Sequence, residues 1–320
     1  MADSTDQITT TRQVLSGIDA MAFQHPLDRQ ATDQLKRVRG FDKTVAKFIE
    51  LGVERVEYVI NIASGVRVGP NQFPKIYQML RECCVVLDVP EPELYVGQGA
   101  VNSFTSGHTH PYIVLETGLL ELFDDDEIMA ALAHEVGHIK CNHVLYKTMA
   151  RAIEPLIEIV GDLTLGIGAL IGVPIQAGLA VWDRRSELSA DRAALLVMQD
   201  VRPCIGMLMK LAGGVHRMSD QLDEEQFLNQ ARAYGELDRS MGDQFYRLWA
   251  SLAKSTHPFA IERAKALNDW IDTAEFEQIL AGNYARIAPP AAPGKFCKKC
   301  GTAITMGTKF CGNCGQPVPA

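Results

Sequence analysis

Residues 134–138 read His-Glu-Val-Gly-His, and they sit inside the apolar, helix-periodic run from Ile128 to Ile139. On a helix, His134 and His138 lie one turn apart on the same face. Two imidazoles so placed can hold one tetrahedral zinc, with Glu135 beside it. The competing reading is a pair of core histidines. Burying two imidazoles and a carboxylate together without a metal is costly. The segment therefore calls for a buried helix and for a second element that brings another ligand to it.

A catalytic zinc takes three protein ligands and keeps a fourth position open. His143, Glu187 and Asp191 are the candidates for the third. His143 follows His134 by nine residues. The elongated metzincin run needs its third histidine one residue later, and a glycine where Cys141 stands, so that arrangement is excluded. Glu187 and Asp191 are four apart, ahead of the helical run RAALLVM, and share one helix face. The economical arrangement puts Glu187 on the metal. Asp191 then stands behind it and accepts a hydrogen bond from the far nitrogen of a ligand histidine. A surface ion pair of Glu187 with Arg184 or Arg185 is the plainer alternative. Beside the histidine pair, ligation is preferred.

The rest of the chain reads as mainly helical. The 320 residues are 47% apolar and 22% charged, as in a globular protein, and the net charge of −8 suits no broad nucleic-acid face. Phe41 to Ile62 has helical apolar spacing, and Pro74 opens a second amphipathic helix. Leu94–Val96 and Tyr112–Leu115 are short runs of β-formers, which suggests a small sheet or hairpin. Asp124 and Glu127 match a capping box before the His-Glu-Val-Gly-His helix. Leu163 to Trp182 has no charged residue and is long enough to span a bilayer. It contains four glycines and Pro174, so a buried apolar hairpin packed on the catalytic helices is preferred, with membrane contact as the lesser alternative. Val201 to about Arg286 is helical again.

The Pro-rich stretch 288–294 reads as a linker between a body, 1–287, and a tail, 295–320. In the tail, Cys297 and Cys300 pair with Cys311 and Cys314 at Cys-x2-Cys-x10-Cys-x2-Cys spacing. That is a four-thiolate structural zinc site, and metal must supply the stability that so small a unit lacks. The tail is similar to zinc ribbons, and a protein contact suits it better than nucleic acid. The remaining cysteines, Cys83, Cys84, Cys141 and Cys204, lie in apolar surroundings. With no secretory signal at the N-terminus, this usage indicates a reducing, cytoplasmic setting, with peripheral membrane contact as the alternative.

Four blocks carry a family resemblance, in order: Val101-Asn102-Ser103-Phe104, His134 to His143, Arg184 to Asp191, and Thr256-His257-Pro258 with Arg263. Across about residues 72–267 the chain resembles the gluzincin peptidases related to HtpX and the CAAX prenyl proteases. The first block departs from the family's Asn-Ala-Phe at Ser103. The resemblance implies an α+β peptidase domain, mainly α with a small β-sheet. It implies a catalytic zinc on His134, His138 and Glu187 and Glu135 as acid and base, beside the structural zinc of the tail. It further implies that His257 stabilises the oxyanion with support from Arg263. Asn102, Ser103 and Phe104 would line the cleft for a peptide or unfolded-protein substrate. The Tyr112–Leu115 strand is expected to pair with that substrate by edge addition. A silent peptidase-like scaffold acting through its ribbon is the alternative function.

Overall fold

A computed structural model describes residues 10–37, 54–150, 167–236 and 259–287, and the tail stretches 295–296, 303–304 and 316–317. The chain divides into two compact units, Met1–Ala285 and Arg286–Ala320. The described helices of the first are α1 Pro26–Lys36, α2 Glu54–Ser64, α3 Pro74–Leu87, α4 Thr117–Leu122, α5 Asp125–Lys140, α6 Ile167–Met198, α7 Val201–Gly213, α8 Glu224–Glu236, α9 Ala260–Ile271 and α10 Ala274–Leu280. A further helical run covers 144–150. The strands are β1 Val66–Arg67, β2 Glu93–Gly97, β3 Ser103–Ser106 and β4 Tyr112–Glu116. In the second unit, β5 Lys295–Phe296 and β6 Ala303–Ile304 form an antiparallel pair. The four tail cysteines lie outside the described residues. So do His257 and the first part of the Phe41–Ile62 helix, whose remainder lies in α2.

The capping box at the start of α5 is present. Asp124 accepts from the Glu127 backbone N–H at 3.0 Å, and the Glu127 carboxylate accepts from the Asp124 N–H at 2.9 Å. Two otherwise orphaned donors are thereby satisfied. Beyond the cap, α5 is apolar on nearly every side. Ile128, Met129, Leu132 and Val136 are buried with α3, α6 and α7 in one core. Its small residues Ala130, Ala131, Ala133 and Gly137 allow neighbours to come close.

The sheet order is β1-β2-β4-β3. The two strand-like runs are not a hairpin. β2 and β4 pair parallel, because β3 comes between them in the chain and returns antiparallel to β4. β4 is consequently paired on both sides and has no free edge for a substrate. The edge beside α5 is β3, so edge addition on Tyr112–Leu115 is corrected to β3. The sequence of β3, Ser-Phe-Thr-Ser, carries too few apolar residues to declare a strand on its own.

The apolar 163–182 stretch also differs from expectation. From Ile167 onward it is not a hairpin but the start of α6, which runs unbroken to Met198. Its apolar character serves a second small core. Leu179 and Trp182 are buried there with Ala31 of α1 and with Tyr146 and Met149. No helix among the described residues is long and apolar enough to cross a membrane.

The described part of the N-terminal segment, from Thr10 on, is fastened to the body. Leu15, Ile18 and Phe23 are fully buried. The Leu15 N–H donates to the Val86 carbonyl at 2.9 Å, and the Asp19 N–H to the Ala285 carbonyl at 2.8 Å. From there α1 packs along α6.

Candidate metal centre

The site lies where α5 crosses α6. A Cβ on Gly137 would lie 2.5 Å from the Ala193 Cβ and 3.2 Å from the Ala190 Cα. Only glycine allows the two helices this separation. Changing Gly137 to Ala gains about 1 kcal/mol of helix propensity but overpacks a site walled partly by backbone, at about 1–3 kcal/mol. Overpacking wins, because the nearby backbone cannot turn aside. We expect Gly137→Ala to destabilise the protein by about 1 kcal/mol, read by chemical denaturation, and to weaken metal binding by moving α6 away. Unchanged stability would show that the crossing has slack.

At the crossing, three donors converge. His134 Nε2 and His138 Nε2 are 3.2 Å apart. Glu187 Oε2 lies 3.2 Å from the first, and Oε1 lies 3.3 Å from the second. A tetrahedral zinc about 2.0–2.1 Å from its ligands spaces those ligands about 3.3 Å apart. The donor set and the spacing both fit zinc. Among the described residues, these three form the group that could hold a metal, and all are buried.

The far sides of these groups are also occupied. His134 Nδ1 donates to Asp191 Oδ1 at 3.0 Å. Arg263 Nη2 is 3.3 Å from the same Nδ1, but two donors cannot bond each other, so the aspartate bond is the one that forms. Arg263 instead grips Asp191 with two bonds, Nε to Oδ2 at 2.8 Å and Nη2 to Oδ1 at 2.6 Å, and its Nη1 reaches Glu187 Oε2 at 3.3 Å. Lys147 donates to Glu187 Oε1 at 2.6 Å and pairs with Asp183 at 3.0 Å. Glu135 points to β3, where it accepts from Ser103 Oγ at 2.8 Å and Thr105 Oγ1 at 2.7 Å.

Burial disfavours charge on both rings. Around His134 the carboxylates of Glu187 and Asp191 outweigh it and raise the pKa to about 9. His138, equally buried and near Lys147, is held well below the usual histidine range. Burial likewise opposes the two carboxylates, yet Lys147, His134 and Arg263 hold Glu187 well below its ordinary value. Arg263 and His134 lower Asp191. The anions are thus held in their ionised form, which suits a cation between them.

The structure brings His134, Glu135, His138, Glu187, Asp191, Arg263 and Ser103 together. It separates the Asn102-Ser103-Phe104 block. Asn102 is exposed before β3, its carbonyl accepting from the Glu116 N–H at 3.0 Å. Phe104 packs on the opposite side of the sheet from Ser103, against the Tyr95, Tyr112 and Val114 cluster. Strand alternation from Ser103 to Thr105 is the signal that points to Thr105, which sequence reasoning missed. Lys147 was missed as well, and no local pattern marks it.

Comparison with known proteins agrees with this geometry. The model of Peptidase family M48 matches residues 70–271, and that of a zinc-ribbon domain matches residues 296–318. The chain is 35% identical over 268 residues to the plastoglobule-localized metallopeptidase 48, chloroplastic, of Arabidopsis thaliana, covering 82% of this chain and 76% of that one. It is 25% identical to protease HtpX homolog 2 of Methanosarcina acetivorans, over 62% of this chain and 74% of the relative. With the protease HtpX homolog of Burkholderia multivorans it shares 23% identity, over 73% and 89%.

Proposed function

This chain belongs to peptidase family M48 and is a zinc metalloprotease, and from that premise we propose that its catalytic zinc is held by His134, His138 and Glu187, with Glu135 as general base and acid. The observation that carries this reading is the convergence of the three donors, 3.2–3.3 Å apart, beside a carboxylate oriented by two hydroxyls. A zinc ion held by these three residues would supply Lewis acidity to a water and to the scissile carbonyl. Glu135 takes the proton of the attacking water and hands it to the leaving amine. Ser103 and Thr105 hold its carboxylate in place. Asp191 keeps the His134 hydrogen on Nδ1, which leaves Nε2 free to ligate. Arg263 balances the charge of Asp191 and Glu187. The family resemblance supports His257 as the oxyanion partner.

The silent-scaffold alternative is not favoured. Metal binding alone has no need of Glu135, and the chain invests two hydroxyls in placing it. A second, structural zinc on Cys297, Cys300, Cys311 and Cys314 rests on their spacing and on the ribbon match. A protein partner is the ribbon's proposed use. The four buried free cysteines of the body support a reducing, cytoplasmic setting.

The substrate is a peptide or protein, and we place an extended segment of it along the edge of β3, one strand from Glu135. The full chain is expected to cleave a labelled unfolded protein. Peptides with Pro stepped through the positions flanking the cleaved bond are expected to resist cleavage wherever Pro removes a ladder hydrogen bond. Indifference to Pro at every position would remove edge addition from the reading.

A further inference from the structure

The two metal-facing rings are braced in different ways. His134 hands its Nδ1 hydrogen directly to a carboxylate. Behind His138 stands another histidine: its Nδ1 lies 3.0 Å from Nδ1 of His143, and His143 Nε2 lies 3.0 Å from Oδ2 of Asp28. Asp28 belongs to α1, outside the residues 70–271 that the family model matches. It is fully buried, and it accepts from Ser189 Oγ at 2.6 Å, Gln24 Nε2 at 2.8 Å and Thr32 Oγ1 at 3.1 Å as well. A carboxylate ringed by four donors is an acceptor only.

That fact sets the direction of the whole chain of bonds. A neutral His143 that donates to Asp28 carries its hydrogen on Nε2 and leaves Nδ1 bare. His138 must then carry its hydrogen on Nδ1 to donate to His143. Its Nε2 is left bare, and this is the atom that faces His134 and Glu187. A histidine ligand needs this tautomer, with its other nitrogen bonded behind it. We propose that Asp28 and His143 are positioning residues that fix the tautomer and ring orientation of His138, so that the N-terminal segment is a working part of the metal centre. This rests on the reading that His138 ligates zinc.

His143 also packs edge-on against Trp182, with ring centroids 5.5 Å apart, so a packing role has to be separated from the relay. His143→Leu keeps apolar volume and removes both polar atoms. His143→Gln keeps an amide oxygen to accept from His138 and an amide N–H to donate to Asp28. In the full chain, zinc affinity is measured by competition with a chromophoric chelator, and the imidazole nitrogen-15 shifts report the tautomer of His138. The relay predicts that His143→Leu weakens zinc by about 10–100-fold and mixes the tautomers, while His143→Gln stays within a fewfold of wild type. Asp28→Leu, which removes the acceptor, is expected to lose about tenfold, while Asp28→Asn keeps a carbonyl oxygen for His143 and stays nearer wild type. Equal zinc affinity in His143→Leu and His143→Gln overturns the relay, as does wild-type affinity in Asp28→Leu, which offers His143 no acceptor. Should the Leu variants not fold, the nitrogen-15 shifts of wild type and His143→Gln keep the test decisive, since a His138 hydrogen found on Nε2 in the metal-free chain overturns the relay. Zinc retained in the body of Glu187→Ala would overturn the ligand assignment and the relay with it, whereas a zinc-free Glu187→Ala beside indifferent His143 variants overturns the relay alone.

Discussion

Replacing Glu135 by Gln is expected to lower kcat/KM for an unfolded protein substrate by about 10²–10⁴-fold while zinc stays in place. The side chains are nearly the same size. Ser103 and Thr105 now donate to the two carboxylate oxygens. A hydroxyl donates or accepts, so one can turn to receive the amide N–H and the pocket stays satisfied. The fold and the three metal donors are untouched. What disappears is the proton acceptor. Wild type and variant are compared side by side, with zinc content measured on both. Equal cleavage by the two would mean that another group takes the proton, or that the site is elsewhere.

On the proposed assignment of one zinc to the body and one to the tail, replacing Glu187 by Ala is expected to remove the first and leave the second. Metal analysis should fall from two ions per chain to one. Zinc supplies several kcal/mol of transition-state stabilisation, and at about 1.4 kcal/mol per factor of ten its loss lowers activity by about 10³-fold or more. The variant should still fold, because none of the three cations that touch Glu187 is stranded. Lys147 keeps Asp183, and Arg263 and His134 keep their bonds to Asp191. Zinc content unchanged from wild type would refute the ligand assignment.

What the sequence made legible was local. His134 and His138 share a helix face by spacing alone, and so do Glu187 and Asp191. The capping box at Asp124 is a four-residue pattern, and the start of α3 is marked by Pro74. The misreadings came from long-range context. The two strand-like runs at 94–96 and 112–115 are correctly strands, but their parallel pairing depends on β3, which is too polar to stand out. The apolar run before Asp183 reads alike as hairpin, membrane segment or buried helix, because only its neighbours Ala31, Tyr146 and Met149 decide between them. Arg263 was tied to His257 through the family resemblance, whereas the structure displays its grip on Asp191 and Glu187. Asp28 had no signal at all. A lone aspartate in a polar helix 115 positions from its histidine is silent until the chain is folded.

The crossing of α5 and α6 at Gly137 also bears on when the chemistry becomes available. On the proposed ligand assignment, two ligands leave the ribosome together on α5, and the third follows 49 positions later, counting from His138 to Glu187. Neither helix holds a complete set. A nascent or partly unfolded chain therefore owns two imidazoles and a carboxylate base but no three-sided cradle for the ion. On that assignment the ion can be held only once the two helices have docked. A protease built this way is inert while it is itself an extended polypeptide, the stage at which it would be most exposed to its own kind.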